Sequence, residues 1–317
     1  MKILVVGTGG VGGYFGARLA RAGEDVTFLA RGEHLRAIRA GGLRVRSREG
    51  EWVVPSPATD DPEAVGSVDL ILFCVKSFDT EKVASAILPA VGPQTTLLSL
   101  QNGVDNEEKI EAVVGPGHVM GGVAYIFSTI EAPGVILHTH GGKIAFGELD
   151  GSESDRGRRL RRVFDGAGIP SELSPQIRRL LWEKYLFITT MAGLTALTRC
   201  PVGVIRSNPE TRRLFLTLLD EVAGVARAAG AALSPGAVDA SVAAADALPP
   251  GMYSSLYHDL IHGKRLEIEA LQGHAVRLGN ALRVPTPALS AVYAALAPYQ
   301  DGPPADFASP PPGERAG

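Results

Sequence analysis

The sequence predicts an α/β protein of two domains, a parallel sheet covered by helices followed by an all-helical domain. Near-continuous apolar segments, KILVV (2–6), DVTFLA (25–30), DLILFCV (69–75) and TTLLSL (95–100), alternate with helical patterns near 10–22, 33–40, 79–88 and 105–113. Strands buried on both faces of a parallel sheet have that composition. From Pro175 onward strand patterns stop, and helical ones run over 176–198, 209–230, 234–246, 253–280 and 287–297. A length of 317 residues also suits two cores better than one.

Taken in order, the first helix carries Gly13, Gly16, Ala17 and Ala20, small residues that permit close packing on the sheet. After His118 the pattern changes to HVMGGVAYIFSTI, GVILHTH and KIAFGE, punctuated by Pro133-Gly134 and Gly141-Gly142, which predicts antiparallel strands extending the sheet. A helix near 153–167 and a short strand at 171–174 complete the domain. The expected division is 1–174, 175–300 and a flexible tail, 301–317, whose DGPPADFASPPPGERAG is too rich in Pro and small residues to pack.

A formal charge of -3 and scattered basic residues exclude a general polyanion surface, so nucleic acid is not an expected partner. The apolar run after Met1 stops at Val6, too short for a signal peptide, and no stretch approaches the roughly 20 apolar residues of a membrane span. Cys74 and Cys200 lie far apart in apolar segments, as buried thiols in a reducing compartment do. A soluble, cytoplasmic protein is expected, with an Ala-rich helical domain able to supply a homodimer face.

Gly7-Thr8-Gly9-Gly10-Val11-Gly12 matches G-x-G-x-x-G directly between a strand and a helix. In that setting the first glycine makes a tight turn, the second admits a pyrophosphate to the backbone, and the third lets the helix pack while its N-terminus faces the anion. An NAD site usually carries Asp or Glu at the end of the second strand, about 20 residues on. Here Leu29-Ala30-Arg31 stands there, and a guanidinium suits the 2′-phosphate of NADP. Lys76 and Asn102 end the third and fourth strands, where open α/β sheets bind ligands.

Within WEKYLFITTMAGLTALT (182–198), Lys184 shares a helical face with the apolar Leu180, Leu181, Phe187 and Ile188. It is either a lysine that extends its head to water or, if its face borders a cleft, a desolvated acid suited to protonating a carbonyl oxygen. His138 and His140 alternate on one strand face, but no third ligand is evident and no metal is expected.

Together GTGGVG with Arg31, CVKS, SLQNG, WEKYLF…GLTAL, and SSLYHDLIHGKRLEIEALQG followed by VPTP resemble the ketopantoate reductases (2-dehydropantoate 2-reductases) from residue 1 to about 297. The resemblance implies a Rossmann-type first domain, a helical second domain, and NADPH-dependent reduction of a small 2-oxo acid, 2-dehydropantoate, to pantoate. It implies that Lys184 is the proton donor and that Lys76 and Asn102 lie on the cofactor and substrate side. Ser255 falls on a substrate-binding serine, and Glu267 on a glutamate that touches the cofactor and organises the lysine. Ser255 and Glu267 share a face if the 253–280 helix is continuous. Ile188, Ala192, Val202 and Met252 stand where the family pattern has asparagine. That departure leaves open a paralogue acting on a more apolar 2-oxo acid, or an NADP-binding regulatory module without turnover.

Overall fold

Five residues, β1 (Lys2–Val6), form the strand around which the first part of the chain is ordered in this computed structural model, which describes residues 1–304. Ile3, Leu4, Val5 and Val6 are wholly buried. Because strand side chains alternate, Ile3 and Val5 join a core with Phe15 and Phe28, while Leu4 and Val6 join another with Ile71, Phe73 and Ile110. This is the apolar run of a central parallel strand.

Around it stand β2 (Asp25–Leu29), β3 (Leu43–Ser47), β4 (Gly50–Val54), β5 (Ala58–Thr59), β6 (Val68–Phe73), β7 (Val91–Ser99), β8 (Val119–Ala132), β9 (Val135–Gly147) and β10 (Ser171–Leu173). The sheet order is β4-β3-β9-β8-β7-β6-β1-β2-β5, with β10 beside β9. From β5 to β8 all neighbours are parallel, and the hairpin β8–β9 is antiparallel. Helices α1 (Gly10–Arg21), α2 (Gly32–Gly41), α3 (Thr80–Ala86), α4 (Asn106–Val114) and α5 (Asp155–Gly166) connect the strands. The chain leaves β1 for β2 on one side and returns to β6 on the other, which makes the β1/β6 carboxyl ends a switch point.

The remainder is helical: α6 (Ile177–Thr198), α7 (Val202–Ser207), α8 (Pro209–Ala228), α9 (Ala237–Ala247), α10 (Ser255–Ile261), a π-helical turn Glu269–Gly273, α11 (His274–Leu282) and α12 (Pro287–Leu296). Contacts divide the chain into units Met1–Lys184 and Tyr185–Gly317, so the division falls inside α6 rather than at its start. No helix among the described residues is long and apolar enough to cross a membrane.

Four elements depart from expectation. LRVRSREGEWVV forms the hairpin β3–β4, Leu43 and Val45 buried and Arg44 and Arg46 outward beside Glu51. Gly141-Gly142 does not end a strand: with φ of +77° and +117° they make an irregularity inside the single strand β9. Val202–Ser207 is a separate short helix.

The expected helix over 253–280 is broken, and with it the argument that Ser255 and Glu267 share one helical face. Gly263 takes φ +62°, Leu266 N–H donates to Gln300 O at 2.8 Å, and Arg265 pairs with Asp301 at 2.9 Å. The chain thus leaves helix to meet its own C-terminal segment, and Gly302 is buried there. Residues 301–304 of the expected tail are therefore held, and 305–317 lie outside the described residues.

A β-carbon on Gly263 would meet Pro303 at 3.2 Å in a left-handed conformation. Gly263→Ala is expected to cost about 1–2 kcal/mol in chemical denaturation, the usual left-handed penalty; unchanged stability would rule out this conformation as the cause of the break.

Candidate active site

The loop between β1 and α1 is shaped by what it cannot accommodate. Gly7 has φ +93°, and a β-carbon on it would stand 2.8 Å from Val75 N and 2.9 Å from Cys74 O, at the end of β6. On Gly12 it would stand 2.3 Å from Gly7 O, and on Gly10 2.2 Å from Ser128 O of β8. On Gly9, by contrast, it would meet no described atom within 4 Å. The first and third glycines of the motif are therefore packing requirements, and the middle one borders open space.

Thr8 is buried, and its hydroxyl donates to Leu29 O at 2.9 Å, tying the loop to the end of β2. Helix α1 begins at Gly10 after the N-cap Gly9, with no side-chain cap and no acidic residue in its first turn. Its positive end thus suits a pyrophosphate, and the residues present fit a dinucleotide. At the end of β2, Arg31 is the N-cap residue of α2, with 70% of its side chain exposed and a carboxylate of Asp79 3.6 Å away. Glu33, the acid in that helix's first turn, is paired with Arg36. An exposed pair such as Arg31–Asp79 contributes little by itself, so the guanidinium can turn to a phosphate.

Lys76 and Asn102 follow the adjacent strands β6 and β7, both half-buried. Their loops are joined directly: Leu100 N–H donates to Phe73 O at 2.9 Å, and Gln101 Nε2 to Val75 O at 3.0 Å. The glycine loop, Lys76 and Asn102 are thus gathered along the carboxyl ends of β1, β6 and β7. Lys184, also half-buried, lies on α6, whose first turns pack Ile177, Leu180 and Leu181 against Val123 and Ala145. Arg178 secures that start by donating to Leu149 O at 2.9 Å and pairing with Glu108 of α4 at 2.7 Å.

In the second unit, Ser255 is exposed as the first residue of α10. Its neighbour Ser254 is the helix cap, accepting from Tyr257 N at 3.1 Å and from the Thr195 hydroxyl at 2.6 Å. Glu267 is buried, in the non-helical stretch before the π-helical turn. Ala192 and Val202 are buried, and Ile188 and Met252 half-buried.

The histidine pair is arranged differently from a ligand pair. His138 is buried, its Nδ1 2.9 Å from Ser47 Oγ and its Nε2 3.2 Å from the carbonyls of His140 and Gly141. Both ring nitrogens are therefore engaged, and among the described residues no group of three or more His, Cys, Asp or Glu is placed to hold a metal ion. Cys74 and Cys200 are free thiols of partly exposed residues, and burial pushes the Cys74 thiol up to about 12.

Thr80, Asn106 and Glu107 are residues the sequence reading passed over. Asn106, after Asn102-Gly103, occupies the first turn of the helix that follows a strand-end turn, a place where polar residues organise backbone. Glu107 gave no such signal. It is 2% exposed, Oε2 has no hydrogen-bond partner among the described residues, and burial pushes its carboxyl up to about 8.

A doubly wound parallel sheet with a glycine-lined switch point, followed by a helical unit, is the architecture of a dinucleotide-binding protein. Residues 3–151 match the family described as "Ketopantoate reductase PanE/ApbA" and residues 176–300 its "C terminal" counterpart. The chain belongs to this family. It is 32% identical to the "Uncharacterized oxidoreductase YkpB" of Bacillus subtilis, across 95% of this chain and 99% of that one. It is 30% identical to the "2-dehydropantoate 2-reductase" of Mesorhizobium japonicum, across 93% and 96%. The crystal structure of a PanE/ApbA family ketopantoate reductase from Ralstonia eutropha JMP134 superposes with a TM-score of 0.89, at 35% identity and covering 95% and 98%.

Because folding raises the Glu107 pKa from 4.5 to about 8, its stabilising contribution is complete below 4.5 and is lost as pH rises through about 8. Glu107→Gln, neutral throughout, is expected to gain up to a few kcal/mol over the wild type between pH 5 and 9. Denaturation of both proteins at each pH checks this, since other titrations cancel in the difference; a constant difference would mean that Glu107 is ionised throughout.

Proposed function

We propose that this chain reduces 2-dehydropantoate to pantoate with NADPH, Lys184 acting as general acid. The observation that carries the reading is the gathering of the glycine loop, Lys76 and Asn102 along three neighbouring strand ends in a member of this family. The uncapped N-terminus of α1 and the loop Gly7, Thr8, Gly9, Gly10, Val11 and Gly12 hold the pyrophosphate, and Arg31 holds the 2′-phosphate. NADPH, when bound, supplies the hydride.

Charge then grows on the ketone oxygen, and the Lys184 ammonium neutralises it by transferring a proton from Nζ to that oxygen. In this reading Lys76 serves the cofactor and Asn102 the substrate, and the family resemblance implies a substrate role for Ser255 and a cofactor role for Glu267. A homodimer in the cytoplasm completes the reading, with exposed Leu197, Val204 and Leu216 available on the helical unit.

A second reading, a more apolar 2-oxo acid, rests on Ile188, Ala192, Val202 and Met252 in place of asparagines. NADPH oxidation with 2-dehydropantoate beside a panel of branched 2-oxo acids separates the two. Tight NADPH binding with no turnover across the panel would instead favour a regulatory module.

Lys184→Ala is expected to lower kcat by about 100- to 10,000-fold, the usual worth of a positioned acid, and near-normal turnover would refute the role. Arg31→Ala is expected to weaken NADPH by about tenfold or more while sparing NADH, one lost charge-assisted contact being worth that much; the two dissociation constants measure it, and an unchanged ratio would remove Arg31 from the phosphate site.

A further inference from the structure

Three side chains lie beneath Lys76 and Asn102, and each is more than nine-tenths buried: Thr80 at 1% exposed, Gln101 at 6% and Asn106 at 1%. Their hydrogen bonds fall on the backbone around those two residues. Gln101 Nε2 donates to Val75 O at 3.0 Å, the carbonyl just before Lys76. The Thr80 hydroxyl donates to Ser77 O at 2.9 Å, the carbonyl just after it. Asn106 Nδ2 donates to Asn102 O itself at 2.9 Å.

The three are joined through Thr80. Its oxygen accepts from Gln101 Nε2 at 2.8 Å, and Asn106 Oδ1 lies 3.4 Å away. One hydroxyl carries one proton, so the shorter contact to Ser77 O takes most of it and Asn106 is held more weakly. The Gln101 carbonyl is in turn 3.4 Å from Ser99 Oγ of β7, fully buried. Two loops that follow different strands are thereby bound to one buried polar cluster.

We propose that Thr80, Gln101 and Asn106 are positioning residues that set the spacing between Lys76 and Asn102, with the Thr80 hydroxyl as the joint. The inference rests on the reading of Lys76 and Asn102 as cofactor and substrate residues. Networks of this kind rigidify only when fully satisfied. A shift of about 1 Å in a reacting group costs about 100-fold in rate. The cluster touches neither the glycine loop nor Arg31 by any hydrogen bond among the described residues, so the dinucleotide should still bind when the joint is lost.

The test compares Thr80→Val, of similar shape without the hydroxyl, with Thr80→Ser, which keeps it. NADPH affinity is read by fluorescence, and kcat and KM with the 2-oxo acid that the wild type turns over fastest. Thr80→Val is expected to lose about 10- to 100-fold in kcat/KM, a loss larger than any in NADPH affinity, because Lys76 is one of several cofactor contacts and the glycine loop and Arg31 stay in place. Thr80→Ser is expected to recover to within about threefold of wild-type kcat/KM. Full activity in Thr80→Val would overturn the proposal, and so would an equal loss in Thr80→Ser, which would reveal a packing effect. If Thr80→Val does not fold, Gln101→Met, measured the same way, takes its place, and wild-type kinetics there would equally overturn the proposal.

Lys76→Ala and Asn102→Ala separate the two levels. Retained activity in both would remove the site reading beneath the cluster, as would a wild type without turnover. Loss in both, with Thr80→Val unaffected, would remove the cluster alone.

Discussion

The absence of room for a β-carbon at Gly12 governs how the first unit is put together. With Gly7 O 2.3 Å from where that carbon would sit, α1 can approach the end of β1 until its amide ends face the place left open beside Gly9. The same approach sets Gly7 against Cys74 and Val75, so the turn after β1 and the turn after β6 share one boundary. From there the order continues by contact: Val75 O is held by Gln101, and Gln101 follows β7. A steric condition in one helix turn thus propagates across three strand ends, and the candidate residues are laid along them.

The electrostatics follow from this placement. Backbone amides at the start of α1 and the guanidinium of Arg31 offer positive charge at two places along the sheet edge, which matches a ligand with separated phosphates. The hydrogen bonds that Thr80, Gln101 and Asn106 make to the backbone around Lys76 and Asn102 are all between neutral groups. Buried neutral networks hold geometry across pH, whereas surface ion pairs weaken in salt. Glu107 stands apart, since a carboxyl so deeply buried favours its neutral form and couples this turn to alkaline pH.

Much of the first unit was legible because its signals are local. Ile3 to Val6 are apolar on both faces of β1, and the glycine motif begins at the next residue. The hairpin β3–β4 was not legible, since Leu43 and Val45 alternate with arginines and their burial depends on pairing with β9, about 90 residues away in the chain. The helix break at Gly263 depends likewise on the distant segment Gln300–Gly302. Lys76, Asn102 and Lys184 could be named from type and place. Thr80 and Asn106 could not, because their role lies in which carbonyls they meet.

In the second unit several polar groups of the helices find partners within the unit. Thr195 hydroxyl bonds Ser254, Ser254 caps α10, and Val202 N–H donates to Met252 O at 2.9 Å. Asparagine at a position as buried as 202 would need partners for both halves of its amide, and leaving one unmade costs about 1–3 kcal/mol. Valine there imposes no such demand, and Ala192 none either. In the proposed reading Lys184 protonates the ketone oxygen, while Ile188, Ala192, Val202 and Met252 offer the substrate no amide hydrogen bonds. A hydrophobic wall distinguishes one methylene by only about 1–3 kcal/mol, far less than a lost polar contact. On that reading reaction class and substrate identity rest on different residues, so the second can drift toward apolar side chains while the first is kept.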